Sequence, residues 1–170
     1  MASIKDKSYV DYKGRRRWRR NDQIAEQIKQ LGDFLIIGGY EESHAARYSK
    51  LAHTISRHPD SIVRLYKEGR LGKISGVGGT IAKIVSEFLE TGTCTKMEEW
   101  ARQTPTSVLE LTAIPGLGAK TARTLYQEHG IESLGALREA LDDGELDGVK
   151  GMGKKTRETI RQQVSKTRRG

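Results

Sequence analysis

The sequence of 170 residues predicts an all-α protein with two small helical domains in tandem, and three observations support this fold class. A short pattern, apolar-x-Gly-apolar-Gly, occurs three times, with glycine pairs that begin at residues 76, 116 and 151. The spacings of 40 and 35 residues are typical of repeated supersecondary units. Each copy is followed by a stretch in which apolar residues recur every three or four positions, the pattern of an amphipathic helix.

The copy at 112–130 shows why this pattern suits a phosphate group. Pro115 ends the preceding helix, and Gly116 and Gly118 form a tight turn before the next one. Glycines let a backbone approach a phosphate closely and point its N–H groups at it. The following helix adds unpaired N–H groups and a positive dipole end, and Lys120 adds a charge. These features are typical of a helix-hairpin-helix, which binds the DNA backbone without reading its sequence.

The other two copies have the same features. Gly76 and Gly78 precede one amphipathic stretch, and Gly151 and Gly153 precede another that begins with Lys154. A single copy could be only a glycine-containing turn between two packed helices. Three copies in one chain favour DNA binding. The residues predicted to contact DNA at these turns are Gly76, Gly78, Gly116, Gly118, Lys120, Thr121, Gly151, Gly153 and Lys154.

The net charge of +8 is concentrated in the two ends of the chain. Residues 1–20 and 151–170 each carry +6, whereas residues 21–150 carry −4. A slightly acidic body can still bind DNA if backbone amides contact phosphates while basic ends displace counterions. No apolar run is long enough to span a bilayer, no secretory signal is present, and one cysteine excludes an internal disulfide. We therefore expect a cytoplasmic protein, associated with the nucleoid in a prokaryote.

Residues 1–20 are interpreted as a basic arm, because their apolar residues have no period of 3.6 or 2. Trp18 lies among five arginines and could stack on a base or anchor on the protein. A disordered tail is the alternative, since such runs are often unstructured until nucleic acid binds. The arginines predicted to contact DNA are Arg15, Arg16, Arg17, Arg19 and Arg20.

The helical patterns assign residues 21–104 to a first domain and 105–166 to a second, with 167–170 as a basic tail. Asn21 is predicted to cap the first helix, and Pro105 marks the joint between the domains. The acidic stretch at 142–147 is predicted to be a solvated loop rather than a metal site.

Longer stretches resemble a known family. Residues 21–100, with H-A-A-R-Y-S-K-L-A, I-S-G-V-G-G-T-I-A-K-I and E-F-L-E-T-G, resemble the N-terminal 8-kDa domain of family X DNA polymerases, the family of DNA polymerase beta. The next stretch, I-P-G-L-G-A-K-T-A-R-T-L-Y through G-M-G-K-K-T-R-E-T-I, resembles the fingers subdomain that follows it. The chain stops where the family's palm, with its aspartate triad, would begin, so the resemblance implies no polymerisation by this chain.

In that family the 8-kDa domain binds the 5′-phosphate side of a gap, and the fingers hairpin binds the primer strand. Carried over by position, Tyr48 belongs to the 5′-phosphate pocket, two lysines of that pocket fall on His44 and Thr80, and Lys96 lies on the DNA-facing side. The resemblance requires no cofactor but implies a Na⁺ or K⁺ ion at each of two hairpins. The backbone carbonyls that would hold these ions belong to Gly72, Ile74, Val77, Thr112, Ile114 and Leu117.

The chain departs from the family at its lyase lysine, which must present an unprotonated amine to the abasic sugar. That position is Ile84, which lies on an apolar helical stripe and is expected to pack in the core. Lys83 is adjacent, but on a helix it points about 100° away. The sequence therefore predicts no catalytic residue and leaves Lys83 as the lyase candidate.

Together these features predict a monomeric, sequence-independent DNA-binding protein that recognises gapped, nicked or 5′-phosphate-ended duplex DNA in base excision repair. One alternative is a 5′-deoxyribose-phosphate or abasic-site lyase. Another is an accessory module that targets a polymerase, ligase or nuclease to damaged DNA.

Overall fold

The computed structural model describes residues 6–167 and confirms the predicted all-α class. Its helices are α1 (Arg19–Ile37), α2 (Glu42–Ser56), α3 (Ile62–Lys67), α4 (Gly79–Thr91), α5 (Thr95–Ala101), α6 (Leu109–Thr112), α7 (Ala119–His129), α8 (Leu134–Asp142) and α9 (Lys154–Thr167). Short 3-10 turns at Leu71–Lys73 and Thr106–Val108 precede α4 and α6. Of the predicted basic tail at 167–170, Thr167 ends α9 and the rest lies outside the described residues. No helix in this described part of the chain is long and apolar enough to cross a membrane.

The chain divides into two compact units that differ from the predicted domains at their boundary. The first unit comprises residues up to Gly32 together with Ser43–Glu99, and the second comprises Asp33–Glu42 and the chain from Trp100 onward. The segment after Gly32 belongs to the second unit because its backbone packs there. The Gln127 side chain donates a hydrogen bond to the Ile37 carbonyl at 3.0 Å, and a Cβ on Gly38 would lie 2.9 Å from the Trp100 ring.

The first unit buries one apolar stripe from each of four helices. Close approach of α1 and α2 depends on Gly32, because a Cβ there would lie 2.9 Å from the Cβ of Tyr48. Burying such side chains contributes about 1.5–3 kcal/mol each. The stripes consist of Ile24, Ile28 and Leu31 on α1, Leu51 and Ile55 on α2, Ile62 and Leu65 on α3, and Ile84, Val85 and Phe88 on α4.

Asn21 does not cap α1, and that prediction was wrong. The helix begins at Arg19, and Asn21 is fully buried inside it. Its side-chain amide donates to the carbonyls of Ile55 (3.2 Å) and Asp60 (2.9 Å), while its carbonyl accepts from the N–H of Ile62 at 2.8 Å. Asn21 therefore bonds to three backbone groups where α2 ends and α3 begins, which helps to satisfy the polar groups buried there.

The second unit contains α6, α7, α8 and α9. Pro105 introduces the 3-10 turn that leads into α6, and Gly130 ends α7 in the left-handed conformation with φ +67°. A glycine is required there because other residues rarely adopt this conformation. Its buried core includes Leu111, Ile114, Leu117, Ala122, Leu125, Leu137, Leu141, Met152 and Ile160.

The predicted basic arm contains a β-hairpin. Strand β1 (Ser8–Val10) pairs antiparallel with β2 (Arg16–Trp18), with Tyr9 opposite Arg17. Three anchors hold this hairpin on the first unit: the Trp18 indole donates to the Pro59 carbonyl at 2.9 Å, the Ser61 hydroxyl donates to Asp6, and the Tyr9 hydroxyl donates to Asp22. Trp18 is thus an anchor rather than a stacking residue.

Candidate nucleic-acid interface

The three glycine-containing turns have the same backbone. In each, the N–H of the second apolar residue donates to the carbonyl of the first, and the glycine between them has a positive φ. A turn with positive φ at its third position is of type II geometry and requires glycine there, and proline is favoured one position earlier, where Pro115 lies. The turns are Ile74–Val77 (3.1 Å; Gly76 φ +84°), Ile114–Leu117 (3.1 Å; Gly116 φ +84°) and Val149–Met152 (3.0 Å; Gly151 φ +85°).

The apolar residues of the turns are anchors for the exposed glycines between them. Ile74, Val77, Ile114, Leu117 and Met152 are each no more than 7% exposed. The glycines and the residue before each of them lie on the surface. The buried apolar residues therefore anchor each turn to the core, while the backbone at the glycine faces solvent.

The second glycine of each pair has a different role from the first. Gly78 (φ −93°, ψ −172°) and Gly118 (φ −87°, ψ 176°) have extended backbones that any residue can adopt. A Cβ on Gly78, Gly118 or Gly153 would meet no atom within 4 Å. Neither the backbone conformation nor the packing requires glycine at these positions. A requirement for glycine would come from a ligand that approaches the backbone from outside.

The helices that follow begin without a side-chain cap. Gly78 and Gly118 are the N-cap residues of α4 and α7, and neither helix start receives a capping hydrogen bond from its N-cap side chain. The first N–H groups of a helix have no partner within the helix, and the helix dipole favours negative charge there. An anion such as a phosphate is a suitable partner for these groups.

The third turn is packed differently from the second. A Cβ on Gly151 would lie 2.9 Å from the Thr121 hydroxyl oxygen on α7, whereas a Cβ on Gly116 would meet nothing within 4 Å. Thr121, predicted to contact DNA, therefore contacts the Gly151 turn. A cleft of about 480 Å³ lies here and is lined by Glu42, Lys120, Thr121, Arg123, Thr124, Gln127, Glu128, Lys150 and Gly151.

Two cations of this cleft share one carboxylate. The Lys120 ammonium lies 3.2 Å from a Glu42 carboxylate oxygen, and the Arg123 guanidinium lies 3.9 Å from the other. The Lys120 side chain remains 76% exposed. Such an exposed pair contributes about 0–1 kcal/mol, so a phosphate can compete with Glu42 for Lys120. Lys154, also predicted to contact DNA, is exposed in the first turn of α9.

The residues that the resemblance assigned to a 5′-phosphate pocket are divided between core and surface. Tyr48 is only 6% exposed, and the Lys96 ammonium lies 5.9 Å from the centre of its ring. His44 lies one helical turn before Tyr48 on α2 and is exposed. Thr80 is exposed in the first turn of α4. Their roles in binding stay predictions.

The lyase position is in the core. Ile84 is 4% exposed on α4, beside the fully buried Val85, which confirms the prediction that it packs. Lys83 is exposed on the same helix. The pKa of Glu87 is lowered by hydrogen bonds from Thr95 and, to a smaller extent, by the charge of Lys83.

The carbonyls predicted to bind an alkali ion belong to the first two turns. The carbonyls of Ile74 and Ile114 each accept one turn hydrogen bond, and a carbonyl oxygen has a second lone pair. An all-carbonyl donor set suits Na⁺ or K⁺. Gly72 and Thr112, which supply further carbonyls, precede these turns by two residues. Among the described residues no group of three or more His, Cys, Asp or Glu side chains could hold a metal ion.

The arginines of the N-terminal hairpin are mostly engaged within the protein. Arg17 is 16% exposed and pairs with Asp22 at 3.0 Å, which raises the pKa of Arg17. Arg15 pairs with Asp11 at 2.8 Å, Arg19 lies over the Tyr9 ring at 5.5 Å, and Arg20 donates to the Gln23 side chain. Arg16 is exposed, and no carboxylate among residues 6–167 pairs with it. The sequence offered no reason to distinguish these five arginines, whereas in the fold Arg16 differs from the other four in that its side chain has no partner among the described residues.

Comparison with known proteins agrees with this geometry. Residues 68–128 and 108–166 match the SAM-like helix-hairpin-helix tandem family, and residues 19–94 match a helix-hairpin-helix domain. The chain is 30% identical over 139 residues to the DNA polymerase/3′-5′ exonuclease PolX of Bacillus subtilis strain 168. That match covers 82% of this chain and 24% of PolX, in its N-terminal part. Both findings support DNA binding. The chain belongs to the tandem helix-hairpin-helix family and corresponds to the N-terminal region of X-family DNA polymerases.

Proposed function

We propose that this protein binds DNA through its phosphate backbone, without sequence preference, at gaps, nicks or 5′-phosphate ends during DNA repair. The observation that carries the proposal is the open space around Gly78, Gly118 and Gly153. Glycines that neither fold nor packing requires, each followed by the N-terminus of a helix, are suited to a ligand that must reach backbone N–H groups. A phosphate is such a ligand.

Recognition of this kind carries no sequence information. Contacts to phosphate oxygens position a protein on DNA, while sequence is read by side chains at base edges. The described turns offer backbone amides and lysines. Basic residues elsewhere add counterion release, which makes affinity fall steeply with salt.

A preference for gaps, nicks or ends is supported by the tandem arrangement. Each unit has its own exposed glycine turn, and an interrupted duplex offers a separate strand end to each. The relative found in Bacillus subtilis is named as a DNA polymerase and exonuclease, and this chain spans about a quarter of its length. An accessory role beside a polymerase, ligase or nuclease is compatible with the same binding.

Binding to four DNA forms tests this proposal. Intact, nicked, gapped and 5′-phosphorylated gapped duplexes of one sequence, and of a second unrelated sequence, are titrated at several salt concentrations. We expect interrupted forms to bind more tightly than intact duplex, with no difference between the two sequences. The log–log salt slope should increase by about 0.9 for each phosphate contacted. Equal affinity for all four forms would remove the gap preference, and strong discrimination between the sequences would remove the proposal itself.

The lyase alternative is tested by borohydride trapping on a 5′-abasic end. Because Ile84 is buried where the family has its lysine, we expect no trapped adduct. Efficient trapping that disappears in Lys83→Ala would show that the chain is an enzyme, and Lys73→Ala is a control for loss of another exposed surface amine.

A further inference from the structure

The N-terminal β-hairpin presents an aromatic ring that the fold does not use. Tyr12 at its tip is 90% exposed, and Val10 on the same hairpin is 69% exposed. No other large hydrophobic residue among 6–167 is exposed to this degree. Trp18, by contrast, is held against Pro59.

Hydrogen bonds within the turn brace the tip of the hairpin. The Asp11 carboxylate accepts hydrogen bonds from the N–H groups of Lys13 (2.9 Å) and Arg15 (3.0 Å) and from the Arg15 guanidinium (2.9 Å). Gly14 has φ +75° and donates its N–H to the Asp11 carbonyl, which closes the turn. An aromatic side chain on such a turn is presented at little cost in backbone entropy when it binds.

The surroundings of the ring are positively charged. The Lys13 ammonium lies 5.4 Å from the centre of the Tyr12 ring, and Arg16 is exposed two residues beyond the turn glycine. Asp11, the acidic residue of the tip, is neutralised by Arg15. An exposed aromatic ring beside cations that no carboxylate of residues 6–167 pairs with is the combination that binds single-stranded nucleic acid, by base stacking and phosphate contacts.

We propose that Tyr12 stacks on an unpaired base of gapped or single-stranded DNA, while Lys13 and Arg16 contact the neighbouring phosphates. A base inside a duplex is already stacked on both faces, so a projecting ring requires an unpaired one. The glycine turns offer backbone amides to phosphates but no ring that could stack on a base. The inference rests on the proposed function and adds to it a residue that recognises the unpaired bases opposite a gap.

Affinity measurements on Tyr12 variants test this inference. We expect Tyr12→Ala to weaken binding to single-stranded DNA and to a duplex with a gap of several nucleotides about tenfold, and to leave intact duplex unchanged. Tyr12→Phe should bind as the wild type does, because the ring face remains. Val10→Ala is the matched control, since it removes exposed apolar surface from the same hairpin without removing a ring. Circular dichroism confirms that each variant is folded.

Photocrosslinking gives a direct measurement. A 5-iododeoxyuridine placed in the gap should crosslink to the peptide that contains Tyr12, and much less when it is paired in a duplex.

If the wild type binds gapped DNA but Tyr12→Ala does so equally well, this inference fails and the proposed function stands. Equal losses on gapped and intact DNA would also overturn it. If Tyr12→Ala instead abolishes self-association in sedimentation, the tip is a contact between copies of the chain. If the wild type binds no DNA form, both proposals fail.

Discussion

The turns at Ile114–Gly118 and Val149–Gly153 have the same sequence pattern and the same backbone but different surroundings. Gly116 and Gly118 both face open space. Gly151 faces the Thr121 hydroxyl, so a Cβ there would lie 2.9 Å from an oxygen of α7. The Gly116 turn is thus open to a ligand, whereas the Gly151 turn is partly covered by α7, the helix that follows the Gly116 turn.

This difference shows that a glycine pattern does not define a single role. In both turns the positive φ of the first position in the pair requires a glycine there. Gly151 has a second constraint from packing, while Gly118 has no internal constraint at all. Substitutions can therefore separate folding from binding, glycine by glycine.

The largest expected effect is that of Gly151→Ala on stability. Positive φ and the contact with Thr121 together should destabilise the second unit by about 2 kcal/mol, whereas Gly116→Ala has the φ cost alone, about 1 kcal/mol. Urea denaturation measures both. Thr121→Ala should recover part of the loss in Gly151→Ala and none of it in Gly116→Ala, since only the first pair is in contact. Equal recovery in both backgrounds would show that the Gly151 contact is unimportant.

Gly118→Val should act on binding rather than folding. The valine side chain enters open space with a backbone that tolerates it, so unfolding should change only by the modest preference for glycine over valine at an N-cap. We expect DNA affinity to fall about tenfold, or 1.4 kcal/mol, because the side chain keeps a phosphate from the helix N-terminus. Gly135→Val, at a glycine of α8 away from the turns, is the matched control and should bind normally. Normal binding by a folded Gly118→Val would mean that this turn only connects two helices.

Glu42→Gln should strengthen binding at the cleft beside these turns. Removing the carboxylate releases Lys120 and Arg123, which it contacts at 3.2 and 3.9 Å, and we expect affinity to rise about twofold to threefold. Thermal stability should change by less than about 0.5 kcal/mol, because the pair is exposed. Glu128→Gln changes the net charge equally in the same cleft. An equal gain from both variants would indicate a general charge effect rather than release of these two side chains.

The smallest expected effect comes from exchanging the monovalent cation. If carbonyls of the first two turns hold Na⁺ or K⁺, replacing these ions with tetraethylammonium at the same ionic strength should weaken DNA binding about twofold, since the larger ion cannot enter a carbonyl site. Fluorescence anisotropy with labelled duplex is sensitive enough for this change. Identical affinities in K⁺ and tetraethylammonium would exclude the ion.

Local features of this fold could be predicted from the sequence. The glycine turns and the helices after them depend on residues within about ten positions of one another. The local sequence pattern was therefore sufficient to predict them. The burial of Ile84 followed from its helical stripe for the same reason. The contact between Gly151 and Thr121 could not be predicted, because it joins residues 30 positions apart through tertiary packing.

The N-terminal region was missed for a different reason. Its strands are three residues long, too short for an alternating pattern to show, and their stability comes from Trp18, Asp6 and Tyr9 bonding to distant residues. One local signal was present: Asp11 and Gly14 occupy the first and last positions at which a type I turn favours them. That signal would have placed Tyr12 at the tip of a turn.

The Asn21 hydrogen bonds provide a readout of how the first unit opens. The Ile62 N–H donates to the side-chain carbonyl of the buried Asn21, 41 positions away in the sequence, so its exchange requires the packing of α3 against α1 to open. Its deuterium uptake in native buffer should be slow and should match the slowest amides of α1. This single amide then reports cooperative opening of the whole unit, while amides of the exposed glycine turns exchange through local motion.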